Sequence, residues 1–108
     1  MLRHRFMETK REMIRQEREE AWIGDAVLTL LAREWVLQRE GRLEAELLAA
    51  LTSNHFLSTL GPPTTVEAQL GRMYLEGGLP AAAAWVQEAL IPRFERQRRR
   101  TGDRSRGP

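Results

Sequence analysis

Residues 25–39 read DAVLTLLAREWVLQR. Its apolar residues cover most of the circumference of a helix, which is typical of a central helix that is buried on nearly all sides. Apolar residues then recur at helical spacing through 43–60 and again from Thr64 onwards. No stretch alternates apolar and polar residues as a half-buried strand does. The sequence therefore predicts an all-α fold.

Glycine and proline divide the chain into about five helices. We expect them at 3–20, 25–39, 43–60, 64–77 and from Pro80 to about residue 97, with a bend at Pro92. Gly71 lies inside the fourth helix, where a glycine indicates close contact with another helix. Residues 1–97 thus form one helical domain, N-terminal helix included, and residues 98–108 form a basic tail that we expect to be disordered.

Composition excludes several classes of protein. The 108 residues suffice for one small domain, and the absence of cysteine excludes disulfides, thiol chemistry and cysteine-based zinc sites. His4 and His55 are too few for a histidine metal cluster. The sequence has neither a signal peptide nor a membrane-spanning apolar run, which predicts a cytoplasmic protein without a membrane partner.

Charge is distributed unevenly along the chain. Residues 21–92 are acidic overall, residues 93–108 are strongly basic, and 16 of the 17 cations are arginine. This arrangement favours a polyanion bound at the basic end while carboxylates hold a metal at the centre. The RNA-binding candidates are Arg96, Arg98, Arg99 and Arg100. A solvated arginine-rich tail without a ligand is the alternative.

Asp25 and Glu67 are the candidate catalytic and metal-binding residues. Each has an ordinary alternative, since Asp25 could cap the central helix and Glu67 could form a capping box with Thr64. If 25–39 and 43–60 form an antiparallel hairpin, however, the two carboxylates meet at the same end. Paired carboxylates repel unless a proton or a divalent cation lies between them, and oxygen ligands suit Mg²⁺ or Mn²⁺.

Three blocks of sequence resemble the catalytic domain of ribonuclease III. They are AWIGDAV at 21–27, LTSNHFL at 51–57 and VEAQLGRMYLEGGL at 66–79, in the order of the family. The resemblance implies an all-α, dimeric endonuclease domain that cleaves double-stranded RNA with magnesium. It also implies that Trp22 inserts into a socket on the dimer partner and that Asn54 helps to position the acidic site. An amide that packs between helices is the alternative for Asn54.

The sequence departs from the family at several positions. Two usual acidic positions hold Ala21 and Thr64, and Glu20 lies one place out of register, which turns it by about 100° on a helix. Arg72 stands where the family has a small residue. Retention of only Asp25 and Glu67 resembles the Mini-ribonuclease III branch, although this chain has a shorter link at 61–63 where the family grips RNA.

The sequence therefore predicts a metal-dependent endoribonuclease for structured or double-stranded RNA, with ribosomal RNA as an implied substrate. One alternative is an inactive RNA-binding or scaffold protein that kept the dimer and lost turnover. Another is a helical interaction domain unrelated to RNA. His55 is interpreted as a surface or interface side chain, and Trp35 and Trp85 as core residues.

Overall fold

The computed structural model describes the backbone of residues 2–105 and the side chains of residues 7–101. Every regular element in this part of the chain is helical, which confirms the all-α fold. Helix α1 spans Leu2–Glu40 and is followed by α2 (Ala45–Leu51), α3 (Asn54–Leu57), α4 (Pro63–Trp85), a π-helical segment (Val86–Leu90) and α5 (Ile91–Ser105). The described chain thus has three long helices, two short ones and a π-helical segment, where the sequence predicted about five helices.

Helix α1 joins the two helices that we expected at 3–20 and 25–39. It passes through Gly24 without a break. A glycine inside a helix costs only about 1 kcal/mol relative to alanine, so packing against a neighbouring helix can outweigh that cost. Helix α1 packs mainly against α4, and Gly24 lies where the two helices meet.

The helix expected at 43–60 is instead divided at Thr52 and Ser53. The Thr52 hydroxyl donates to the Leu48 carbonyl oxygen (2.9 Å), while the Ser53 hydroxyl accepts from the Phe56 amide (3.1 Å) and caps α3. Hydroxyl side chains that bond to nearby backbone groups compete with a continuous helix. The turn directs Phe56 and Leu57 into the core, where both are almost fully buried.

The α-helical pattern is interrupted at Gly78 and again just before Pro92. Gly78 has φ 74° and ψ −176°, which interrupts α4 where we expected one helix to stop and another to begin. Further along, Pro92 cannot donate a helical hydrogen bond. The turn before it widens, and the Ile91 amide donates to the Val86 carbonyl oxygen five residues earlier.

The core lies between α1, the short helices and the C-terminal half of the chain. Its aromatic centre consists of Trp35, Phe56 and Phe94, whose rings meet edge to face with centroid distances of 5.9 Å for Trp35–Phe94 and 5.1 Å for Phe56–Phe94. Trp35 is buried and Trp85 is partly buried against the same cluster, as expected. No helix of the described residues is both long enough and apolar enough to cross a membrane.

Helix α5 extends further than the sequence suggests. It is fixed to the domain by an Arg39–Glu95 ion pair (2.9 Å) and by a hydrogen bond from Arg93 to the Thr59 carbonyl oxygen (2.6 Å). Helical structure continues to Ser105, so residues 98–105 of the expected disordered tail are helical. Arginine has high helix propensity, which allows the anchored helix to continue. The rest of that tail, residues 106–108, lies outside the described residues.

Candidate active site

The site is built where α1 and α4 come closest together. Gly24 and Gly71 face each other at this point, and a Cβ atom on either one would lie 3.0 Å from the backbone nitrogen of the other. The same Cβ atoms would collide with the carbonyl groups of Glu67 and Glu20, respectively. The buried Ala21 and Ala68 are also small residues and lie close to these glycines in sequence. Small side chains therefore allow the two backbones to touch and place neighbouring side chains within reach of each other.

The two helices run antiparallel at the crossing, because Gly24 meets Glu67 while Gly71 meets Glu20. Residues that occupy equivalent places on α1 and α4 are always separated by the same number of positions in the sequence. By this relation Glu20 is equivalent to Glu67, Gly24 to Gly71 and Asp25 to Arg72. The crossing thus has a local two-fold relation in its backbone packing and its glutamates, which is broken where Asp25 corresponds to Arg72.

Asp25 and Glu67 lie together on one side of the crossing, where α1 and α4 bring them to each other. Asp25 is exposed and Glu67 is half-buried, and their carboxyl groups are within hydrogen-bonding range. Burial raises the pKa of Glu67, and the hydrogen bond and negative charge of Asp25 raise it further, to about 7 from an ordinary value of 4.5. Glu67 therefore shares its environment with a like charge and retains a proton close to neutral pH.

Neither carboxylate has the capping role that the sequence left open. Asp25 lies in the middle of α1 rather than at the start of a helix. Pro62 occupies the N-cap of α4 and makes no side-chain capping bond, and Thr64 lies inside the helix. The capping explanations for Asp25 and for the Thr64–Glu67 pair are therefore wrong. Stabilisation of a helix end does not account for either carboxylate.

Glu20 and Arg72 occupy the opposite side of the crossing. The Arg72 guanidinium donates to both carboxylate oxygens of Glu20, with Nε–Oε2 and Nη2–Oε1 distances of 3.0 and 3.3 Å. Glu20 is buried, and its bond and charge raise the pKa of Arg72, with smaller contributions from Glu76 and Glu17. The two family departures noted at these positions are therefore partners of each other. Both departures can be read from the sequence, but their pairing depends on which residues of the antiparallel helices α1 and α4 lie opposite each other.

The donor set of the acidic site suits a hard divalent cation. Mg²⁺ is commonly held by one or two carboxylates, with water and substrate phosphate completing its octahedron. Asp25 and Glu67 supply that number from two different helices. Within the described residues, no group of three or more Asp, Glu, His or Cys side chains could hold a metal. Glu20, the nearest additional acid in sequence, is already bound to Arg72.

The other predicted residues are spread over the surface. Asn54 is exposed at the first position of α3, and the hydrogen bonds described for the chain do not link its side chain to the acidic pair. His55 beside it is exposed, as expected for a surface residue. Trp22 is 78% exposed on α1, three residues before Asp25. The arginines Arg96, Arg98, Arg99 and Arg100 are all exposed on α5.

Comparison with known proteins gives no match to a family model, to a curated protein or to a solved structure. The site is consequently interpreted from its own geometry and chemistry.

Proposed function

We propose that this chain is a divalent-metal-dependent endoribonuclease of the ribonuclease III type, acting in the cytoplasm on structured or double-stranded RNA. One observation carries the proposal. Two carboxylates from different helices meet at a tight glycine crossing, and no cation of the described chain is paired with them. A pair of this kind costs stability, since like charges repel and burial penalises ionisation. That cost is understandable if the pair holds a cation for chemistry.

Asp25 and Glu67 are the residues that would hold Mg²⁺ or Mn²⁺. When bound, such an ion supplies an activated water and stabilises negative charge on the phosphodiester oxygens. The chain contributes the position of the ligands. The packing of Gly24 on Gly71 fixes the separation of the two helices, and the Glu20–Arg72 bond fixes their register one turn away.

The RNA contacts proposed for the chain are made by the exposed arginines of α5. Their guanidinium groups suit phosphate oxygens because they present planar pairs of donors. They contribute affinity without sequence choice, since phosphates carry no base information. Ribosomal RNA remains the substrate that the resemblance suggests.

The active assembly that we propose is a homodimer formed around Trp22. Trp22 stands exposed beside an open hollow of about 520 Å³ between α1 and α4, with Ile23 and Leu75 on its walls. Trp22 is itself part of the lining, together with Gln16, Glu19 and Glu20. A surface that carries both an exposed indole and an open hollow can pair with a second copy of itself about a two-fold axis. Pairing two copies in this way would present two acidic pairs to one RNA duplex.

An inactive RNA-binding or scaffold protein is the second candidate. The observation that favours it is the small donor set, since Arg72 occupies Glu20 and leaves two carboxylates for a metal. A protein that had lost turnover would keep the fold, the exposed Trp22 and the basic helix. The two candidates therefore differ in metal binding and cleavage and agree on RNA binding.

Cleavage of structured RNA tests the proposal directly. Purified protein is incubated with RNA hairpins in Mg²⁺ or EDTA, alongside Asp25→Asn, Glu67→Gln and the control Glu88→Gln, which removes an exposed acid far along the chain. We expect cutting that requires Mg²⁺, is abolished in the first two variants and persists in the control. RNA binding without cutting would support the scaffold, and cutting by Asp25→Asn would refute the assigned site.

Metal binding is measured separately by thermal unfolding. A ligand at 10 to 100 times its dissociation constant stabilises a protein by about 1 to 3 kcal/mol. We expect Mg²⁺ to stabilise the wild type and Glu88→Gln, and to have little effect on Asp25→Asn or Glu67→Gln. Equal stabilisation of all four proteins would place the ion elsewhere.

A further inference from the structure

A groove of about 420 Å³ lies between α5 and the turn that joins α2 to α3. Its floor contains Phe56 and Phe94, and its polar rim contains His55, Gln97 and Arg98. The described lining includes no acidic side chain. The groove is separate from the acidic pair, to which it contributes no residue.

Arg98 gives the groove a flat, positively charged wall. Its guanidinium lies over the Phe94 ring, with 5.6 Å between the guanidinium carbon and the ring centroid. Phe94 is itself held by edge-to-face packing against Trp35 and Phe56. The support beneath Arg98 is therefore rigid, while Arg98 remains exposed to solvent. Arginine planes of this kind stack on nucleobases.

We propose that this groove binds one unpaired nucleotide of an RNA, with the base stacked on Arg98 and the phosphate beside His55. The volume is at the lower end of the range for small-ligand sites, which fits a single nucleotide and excludes a duplex. A base exposes its flat faces only when it is unstacked, so the groove selects unpaired segments. This inference rests on the proposed function, because it assumes that RNA is the polyanion bound by α5.

The groove is connected to the helix that carries Asp25. Phe94 packs on Trp35, which is ten residues beyond Asp25 on α1. At 1.5 Å per residue this is about 15 Å along the helix axis. A few nucleotides of extended backbone span such a distance. The groove is thus suited to hold an unpaired end or bulge of a substrate whose paired part lies at Asp25 and Glu67.

The test compares two RNA hairpins that differ only in a short unpaired 3′ extension, with binding measured by fluorescence anisotropy in EDTA. Stacking of a single base is worth about five-fold or more in affinity. We expect the wild type to prefer the extended hairpin by at least about five-fold. Arg98→Lys keeps the charge but removes the planar group, and it should abolish the preference, so that the variant binds the extended and the blunt hairpin equally.

Arg100→Lys is the matched control, since it makes the same change on α5 outside the groove and should keep the preference. The inference is overturned if the wild type binds both hairpins equally, if Arg98→Lys retains the preference, or if Arg98→Lys weakens both hairpins to the same degree. The last result would show an ordinary phosphate contact.

The proposed function fails in a different way. If wild-type protein prefers the extended hairpin but cleaves neither RNA in Mg²⁺, the groove stands and the nuclease assignment does not. If it cleaves RNA in Mg²⁺ without any preference in EDTA, the nuclease assignment stands and the groove does not.

Discussion

Gly24 and Gly71 pack directly against each other, and each lies so close to the backbone of the opposite helix that a side chain in its place would collide with it. Their packing sets the distance between α1 and α4 and thereby brings Asp25 to Glu67. Replacement of either glycine should therefore affect stability and the site together.

Gly71→Ala should destabilise the protein, although glycine to alanine inside a helix ordinarily stabilises it by up to about 1 kcal/mol. The added methyl group meets the Glu20 carbonyl and forces the helices apart, and overpacking of this kind costs about 1 to 3 kcal/mol. Urea unfolding measures the change. A gain in stability would show that the two backbones do not touch.

The free energy of unfolding should fall as pH rises from about 4.5 to about 7. Below this window Glu67 is protonated in both states, whereas within it the unfolded chain releases a proton that the folded chain retains. Above pH 7 the penalty is constant. Allowing for solvent screening of a half-buried group, we expect a decline of about 1 to 2 kcal/mol attributable to Glu67.

Urea unfolding in EDTA across this range, on wild type and Glu67→Gln, isolates that decline. Glutamine keeps the shape and cannot ionise, so the variant should lack this part of the pH dependence and exceed the wild type in stability at pH 8. Glu88→Gln should follow the wild type. Parallel curves for wild type and Glu67→Gln would show that the pKa of Glu67 is not raised in the folded chain.

Trp22→Ala should shift the protein from dimer to monomer in sedimentation equilibrium. Burial of an indole removes up to about 250 Å² from water, and two-fold symmetry doubles the gain. Leu43→Ala is the matched control, because Leu43 is also 78% exposed but lies beyond the C-terminal end of α1. A wild type that sediments as a monomer at micromolar concentrations would contradict the proposed assembly.

Replacement of Arg96, Arg99 and Arg100 by glutamine should flatten the salt dependence of RNA binding. Each arginine that no longer binds a phosphate lowers the slope of log affinity against log salt by about 0.7 to 0.9. Affinity for Mg²⁺ should remain unchanged. Arg33→Gln, an exposed arginine on α1, should keep the wild-type slope, and an unaltered slope in the triple variant would assign α5 no role in RNA binding.

The sequence predicts helices well where apolar spacing alone determines them, as in 25–39. It does less well where a local signal has two meanings. The sequence predicts that Gly24 precedes a helix start, yet Gly24 lies inside α1. A glycine occupies this position because the backbone of α4 lies where a side chain would be. Likewise Thr52 and Ser53 divide a periodic apolar stretch by binding backbone groups within their own turn.

The sequence brought Asp25 and Glu67 together through a hairpin of 25–39 and 43–60, whereas in the structure they meet because α1 crosses α4 directly. The Glu20–Arg72 pair could not be predicted, although both residues were noted as unusual. Their partnership depends on which residues of α1 and α4 are opposite each other. A shift of one residue would turn either side chain by about 100° and separate them.

The two sides of the α1–α4 crossing can be compared with each other, because they have the same backbone packing and an equivalent glutamate. The same backbone arrangement presents a glutamate twice, and the two sides differ by whether the neighbouring residue is arginine or aspartate. Where that residue is Arg72, its positive charge balances that of Glu20, and the ion pair holds the two helices together. One chain therefore holds the same backbone position twice, once with a basic and once with an acidic neighbour beside the glutamate.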